Sequence, residues 1–256
     1  MTKFCIVAPT NILQGLQAHG MLGIHHLLLA HDVADNGKSK VYDEIFGNRK
    51  WDDSELVILD NSVIETGSAV DLDMIADAVS ICQPTCVVLP DVLLDGPATV
   101  AACRDATQDW WVKLGAKTKF MYVPQGKNLK EFFGAASDPH LMEDERITHW
   151  GVPRNLVKQM NTHSRGIACK MLYELNPKRF IHMLGFSDRM TDDFGCASFP
   201  EVHSIDSAVP LRINAPFNVN MTVPPRGEWF QNAVMSPMVI SNLNTVRTML
   251  NPVKFP

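Results

Sequence analysis

The sequence predicts a (β/α)8 barrel of the TIM type. Eight short apolar runs recur along the chain, helical patterns separate them, and the 256-residue length suits one barrel of about 250 residues. Alternating strand and helix patterns signal a parallel sheet. Eight strands is the number at which such a sheet closes.

The first runs are FCIVAP (Phe4 to Pro9), HHLLLAH (His25 to His31), LVILD (Leu56 to Asp60) and TCVVLPD (Thr85 to Asp91). KFMYVPQ (Lys119 to Gln125), HWGVPR (His149 to Arg154), RFIHMLG (Arg179 to Gly185) and VHSID (Val202 to Asp206) complete the set. Helical periodicity is clearest over Asp71 to Cys82, Pro97 to Leu114 and Asn155 to Leu175. Pro97 suits a first helical turn, where its missing N–H costs nothing. The polar stretch His31 to Asp53 reads as a surface excursion of the barrel. Residues 1–256 are expected to form one domain, with a C-terminal tail from about 213 that holds a helix near Met238 to Leu250.

Composition narrows the function classes. Apolar residues make up 46% of the chain and charged residues 20%, enough apolar surface to bury a sizeable core. No apolar run approaches the roughly 18 residues of a membrane span, and Met1 to Pro9 lacks the flanks of a secretory signal, so a cytoplasmic protein is expected. The cysteines Cys5, Cys82, Cys86, Cys103, Cys169 and Cys196 follow no CxxC spacing and read as reduced, buried thiols.

A net charge of -5 argues against a protein that coats polyanions through many phosphate contacts. The negative excess lies in the first half of the chain, however, and residues 127–256 are slightly basic. Lys158, Arg165, Lys170, Lys178, Arg179 and Arg189 concentrate between the sixth and seventh strand ends. They fit either a solvated helix face or a phosphate-binding surface.

Several of the runs end in a polar residue, among them Asp60, Asp91, Gln125, Arg154 and Asp206. In a barrel those ends share the face on which catalytic groups are built. Asp95, by contrast, sits where a carboxylate caps the following helix. Three carboxylates and an amide at one mouth suit sugar transfer, in which one carboxylate attacks the sugar carbon and another moves a proton. An Asp with a Gln also matches the donor and acceptor pattern of a guanine-like ring.

Other constellations are weaker. His25, His26, His31 and Asp32 lack ligands from several strand ends and contain no HxH pair, so packing or rim positions are expected rather than a metal. Trp110 and Trp111 lie in a helical stretch and are expected to cover the barrel.

Taken in order, LDNS, LPDV, VPQG, WGVPR, MLGFS and SIDSAVPLR over residues 56–212 resemble the queuine tRNA-ribosyltransferase or guanine-transglycosylase superfamily. The resemblance implies a base-exchange pentosyltransferase with Asp206 as nucleophile and Asp60 as acid/base. Asp91, Gln125, Gly126, Gly151, Arg154 and Arg212 would contact substrate. It implies no cofactor. Its partners would be nucleic acid and a free 7-deazaguanine base.

Two departures shape that expectation. Nothing after Arg212 is Cys or His, so the zinc site of the family's tRNA enzymes has no ligands here. The shorter, zinc-free chain is more similar to the divergent, phage-like branch that inserts 7-deazaguanine derivatives into DNA, which puts DNA ahead of tRNA as substrate. Asn61, Ser62 and Val63 also replace the family's double glycine after the third-strand Asp, with Glu65 close by, and the acid/base is therefore either Asp60 or Glu65.

Two alternatives use the same chain differently. An N-glycoside hydrolase, a nucleosidase or a glycosylase acting on DNA, would employ the carboxylates with water as acceptor. A non-catalytic barrel would position nucleic acid for a catalytic subunit. Which deazapurine, which sequence context and whether a homodimer or partner subunit is needed are not legible from these residues.

Overall fold

The computed structural model describes residues 1–48, 54–115, 118–156, 164–188, 190–222 and 229–251, the Trp111 side chain apart. Eight parallel strands close into a barrel in chain order: β1 (Lys3–Ile6), β2 (His25–Leu29), β3 (Leu56–Asp60), β4 (Cys86–Val88), β5 (Phe120–Tyr122), β6 (Ile147–Pro153), β7 (Phe180–Leu184) and β8 (Val202–Ser207). Pairing of β8 with β1 completes the cylinder. The chain is an α/β protein with a (β/α)8 barrel of the TIM type.

Every apolar run supplies one strand, and prolines explain several of the ends. β1, β4 and β5 stop two or three residues before Pro9, Pro90 and Pro124, because proline offers no N–H to the ladder. Asp91 and Gln125 therefore stand on the loops that leave the barrel.

Strand side chains alternate between two faces, and the two core clusters follow that period. Cys5, Val7, Leu27, Leu29, Leu56, Ile58, Cys86, Val88, Met121 and Val123 fill the inside of β1 to β5. Phe4, Ile6, Leu28, Val57, Leu59, Val87, Phe120 and Tyr122 face the surrounding helices. Extending the inward series by one step brings Asp60 to the top of β3. On β7 and β8 the same alternation turns His182, Ser204 and Asp206 inward, opposite Ile181, Met183 and Ile205 in the outer core.

Local signals account for the helices. Asp71 caps Leu72–Cys82 by accepting from the Met74 N–H at 2.8 Å, and Asn128 caps Leu129–Ala136 by accepting from Glu131 at 3.0 Å. Such caps satisfy N–H groups that the helix itself leaves unpaired. Asp95 likewise accepts from the Ala98 N–H at the start of Gly96–Leu114, with Pro97 in its first turn. Of the helix expected over Asn155 to Leu175, Ser164–Leu175 is present and residues 157–163 lie outside the described set.

The excursion after β2 is more than surface. It folds as Ala30–Val33, Ser39–Tyr42 and a π-helical turn over Asp43–Gly47. Tyr42, Ile45 and Phe46 are buried, since their i, i+3, i+4 spacing forms a stripe against Leu72–Cys82 within otherwise polar sequence.

After Arg212 the chain joins the barrel wall. Pro237–Leu250 buries Val239, Leu243, Val246 and Leu250 and packs against β1 and the short helix Val209–Arg212, in the place of an eighth outer helix. Asn242, fully buried, fastens the preceding segment. Its amide donates to the Ile213 and Ala215 carbonyls at 3.0 Å each, and its carbonyl accepts from Phe217 at 2.8 Å.

Candidate active site

The C-terminal mouth of the barrel opens into a cavity of about 160 Å³. Asp60, Glu65, Asp91, Gln125, Arg154, Asp206 and Arg212 all line it, together with apolar Val7, Leu29, Val63, Leu93, Leu184 and Phe186. An apolar cavity of about 150 Å³ admits benzene, so this one has room for a flat heterocycle between apolar walls and polar ends.

Asp206 is almost completely buried, and one of its two oxygens is tied down. Oδ1 accepts from the Gly185 N–H at 2.9 Å and meets His182 Nε2 at 3.0 Å. His182 is in turn held through Nδ1 by Ser204 Oγ at 2.7 Å. Among the described residues nothing hydrogen-bonds Oδ2, which leaves that oxygen for the cavity. Gly185 presents its N–H from φ +66°, a left-handed conformation that glycine adopts without penalty.

Asp60 differs from Asp206 in its surroundings. Burial, then the neighbouring carboxylates Glu65 and Asp91, push its pKa well above the ordinary carboxylate range, while an N–H from Ser62 at 3.0 Å partly offsets the rise. A raised pKa suits a carboxyl group to proton donation. Ser62 holds φ 62° and ψ 18°. It thus adopts unaided the left-handed turn for which glycine is the usual residue.

Asp91, Asn61 and Gln125 form one hydrogen-bonded array. Asn61 Nδ2 donates to Asp91 Oδ1 at 2.7 Å, and Gln125 Nε2 donates to Oδ2 at 2.5 Å. Leu94 N–H reaches Gln125 Oε1 at 3.3 Å, which sets the amide with its NH2 toward Asp91. Burial raises the Asp91 pKa, and the two amide bonds counteract it. Each carboxylate oxygen keeps a second lone pair, and Gln125 keeps a second amide proton, so the array can still read a ligand edge.

Two expected contacts have other placements. Gly126 is not among the cavity-lining residues; a Cβ there would come 2.4 Å from the Phe132 backbone N. Its role is to let the β5 loop lie against the helix Leu129–Ala136. Gly151 faces the barrel interior beside His182, where a Cβ would come 2.6 Å from Val123 Cγ2. It keeps space beneath the mouth rather than lining it.

The basic cluster also divides. Arg165 is 1% exposed and paired with Asp193 at 2.7 Å; its guanidinium also donates to the carbonyls of Val152, Leu184 and Gly185. Arg179 is buried over the Trp150 ring and donates to the Leu141 and Met142 carbonyls. These two arginines brace the barrel and cannot meet a phosphate. Lys170 and Lys178 are exposed, whereas Lys158 and Arg189 lie outside the described residues. Arg154, exposed, carries its stem across Gly185.

His26 packs edge-on against Phe46, and His25 Nε2 meets the Ser54 carbonyl at 2.9 Å. Among the described residues no group of three or more His, Cys, Asp or Glu is arranged to hold a metal ion. All six cysteines are free and buried, and no described helix is long and apolar enough to cross a membrane. Trp110 is buried in the outer core.

Sequence reasoning missed the parts that three residues play around this site. His182 is a single polar residue in an apolar strand, and only its register opposite Ser204 reveals its bond to Asp206. Asn61 follows Asp60 directly, yet its amide belongs to Asp91. Arg165 sits behind the mouth and holds the Gly185 carbonyl. No protein-family model and no curated protein matches this chain.

Proposed function

We propose that the chain is a base-exchange pentosyltransferase that replaces guanine in nucleic acid, DNA before tRNA, with a 7-deazaguanine derivative. The observation that carries this reading is the division of labour between two carboxylates at one cavity. Asp206 has one oxygen pinned and the other free to attack, while burial and the neighbouring Glu65 and Asp91 carboxylates raise the pKa of Asp60.

In the first half-reaction Asp206 Oδ2 bonds to the sugar C1′ as the bond from C1′ to guanine N9 breaks. The bonding electron pair leaves with the base, and Asp60 supplies a proton to it. In the second, N9 of the incoming base attacks C1′, its proton passes to the Asp60 carboxylate, and the C1′–Oδ2 bond breaks to restore Asp206. Two carboxyl groups in unlike surroundings at one site commonly divide acid and nucleophile roles in this way.

Asp91 and Gln125 then serve to read the base edge, with Asn61 holding Asp91 from behind and Leu93 and Val123 against the faces of the base. Arg154 and Arg212 stand at the same cavity as contacts for the sugar-phosphate chain. A barrel mouth cannot reach a glycosidic bond inside a stacked duplex, so the target nucleotide must be single-stranded or flipped out. DNA is placed before tRNA because residues 213–256 contain no Cys or His to hold a zinc ion and instead carry the helix Pro237–Leu250 that packs on the barrel.

The test is retention of isotope-labelled guanine, or a labelled 7-deazaguanine, in polymer. Single-stranded DNA and unmodified tRNA are incubated separately with wild type and Asp206→Ala. Label in DNA that disappears with Asp206→Ala is the expected result. Label in tRNA moves the substrate to RNA, and release of free guanine without incorporation replaces exchange by hydrolysis.

A further inference from the structure

Beyond the residues that face the cavity, the column Ser204–His182–Asp206 runs down the inside of β7 and β8. Its parts are joined by contacts of 2.7 Å and 3.0 Å, and His182 is fully buried. An attacking Asp206 is ionised, and its Oδ1 can only accept. His182 Nε2 must therefore carry the proton in that contact, and Ser204 Oγ can donate to Nδ1. Cys5 lies beside Asp206 across the β1–β8 ladder and is buried without a polar role there.

We infer that His182 is a positioning residue for Asp206. With the Gly185 N–H it confines Oδ1, so that Oδ2 alone meets the sugar carbon. The inference rests on the reading of Asp206 as nucleophile and adds a role for the column beneath it. In the covalent intermediate Oδ1 is the ester carbonyl oxygen. When the C1′–Oδ2 bond breaks, the electron pair returns to a carboxylate that already has two N–H groups on Oδ1. Preorganised donors at a site of developing charge speed such a step, so His182 helps Asp206 leave, and its part in the attack is to orient Oδ2.

The geometry accounts for the position of each partner. Gly151 stands opposite His182 on β6, and the space a Cβ would take there belongs to Val123, Met121 and Leu184. Arg165 Nη1 grips the Gly185 carbonyl at 2.8 Å, which keeps the Gly185 N–H aimed at Oδ1. Filling the barrel calls for no histidine, since an apolar residue would occupy the same space without two buried ring nitrogens to satisfy.

Two measurements test the inference, and the first needs no catalysis. In protein carrying 15N-labelled histidine, His182 is expected to show an exchange-protected proton on Nε2 whose resonance moves in Asp206→Ala. An unprotonated Nε2, or a resonance indifferent to Asp206→Ala, overturns the inference. The second compares His182→Phe with His182→Gln, whose amide can still donate, in exchange of labelled guanine into a guanine-containing single-stranded DNA oligonucleotide. His182→Phe should lower kcat by about 10- to 100-fold, with KM within about threefold, and His182→Gln should recover most of the loss. A His182→Phe variant within about twofold of wild type, or a loss as deep in a folded His182→Gln, overturns it. Wild-type protein that exchanges no guanine sinks the base-exchange reading instead, and the histidine resonance then decides the clamp by itself.

Discussion

Asp60 and Glu65 point into the same cavity, and after burial the Glu65 carboxylate is the strongest influence raising the Asp60 pKa. If Asp60 is the acid, exchange activity falls as pH rises through its elevated pKa. Replacing the Glu65 carboxylate by Glu65→Gln lowers that pKa, so the alkaline limb of the pH profile should move to lower pH with activity at the optimum retained. Abolished exchange in Glu65→Gln would transfer the acid role to Glu65.

The same raised pKa makes a stability prediction. Between the pKa of Asp60 in the unfolded chain, about 3.9, and its higher folded value, the folded protein binds more protons, so stability falls as pH rises. Above the folded value the full cost of an ionised, enclosed carboxylate is present. Asp60→Asn removes that cost and should stabilise the protein by about 1 kcal/mol at pH 7. The difference from wild type should shrink toward pH 3. Urea unfolding across that range measures it, and an Asp60→Asn variant destabilised at neutral pH would contradict the assignment.

Gly126→Ala tests the seat of Gln125. The added methyl meets the Phe132 backbone N, a contact that no side-chain rotation relieves. A loss of about 2–3 kcal/mol in urea unfolding is expected. Gln125 should shift with its loop, which would weaken base binding more than turnover.

Asn242→Ala tests the closing of the wall. It leaves the Ile213 and Ala215 carbonyls and the Phe217 N–H without their side-chain partner. Thermal or urea unfolding should register a cost of about 2–4 kcal/mol, with the mouth chemistry retained in whatever protein remains folded.

The barrel was legible because each strand is a continuous apolar run bounded by turns, and β-period alternation places Asp60 and Asp206 inward without any long-range information. Asp91 and Gln125 were legible for a related reason, since Pro90 and Pro124 end the ladder just before them. His182 and Asn61 were not, because their roles depend on which neighbouring strand end each side chain meets. Arg165 and Arg179 read as surface charge on residue type alone. Their burial depends on Asp193, on backbone carbonyls and on the Trp150 ring, partners brought near only by the closed barrel. Tyr42, Ile45 and Phe46 were hidden by the polar residues between them.

The most direct measurement is the intact mass of the protein after incubation with a guanine-containing single-stranded DNA oligonucleotide and rapid denaturation. The account predicts an adduct equal to the oligonucleotide less guanine, attached at Asp206, absent from Asp206→Asn and discharged by added guanine. Base exchange with no adduct in any rapid quench, or an adduct that persists in Asp206→Asn, would contradict a covalent Asp206 intermediate.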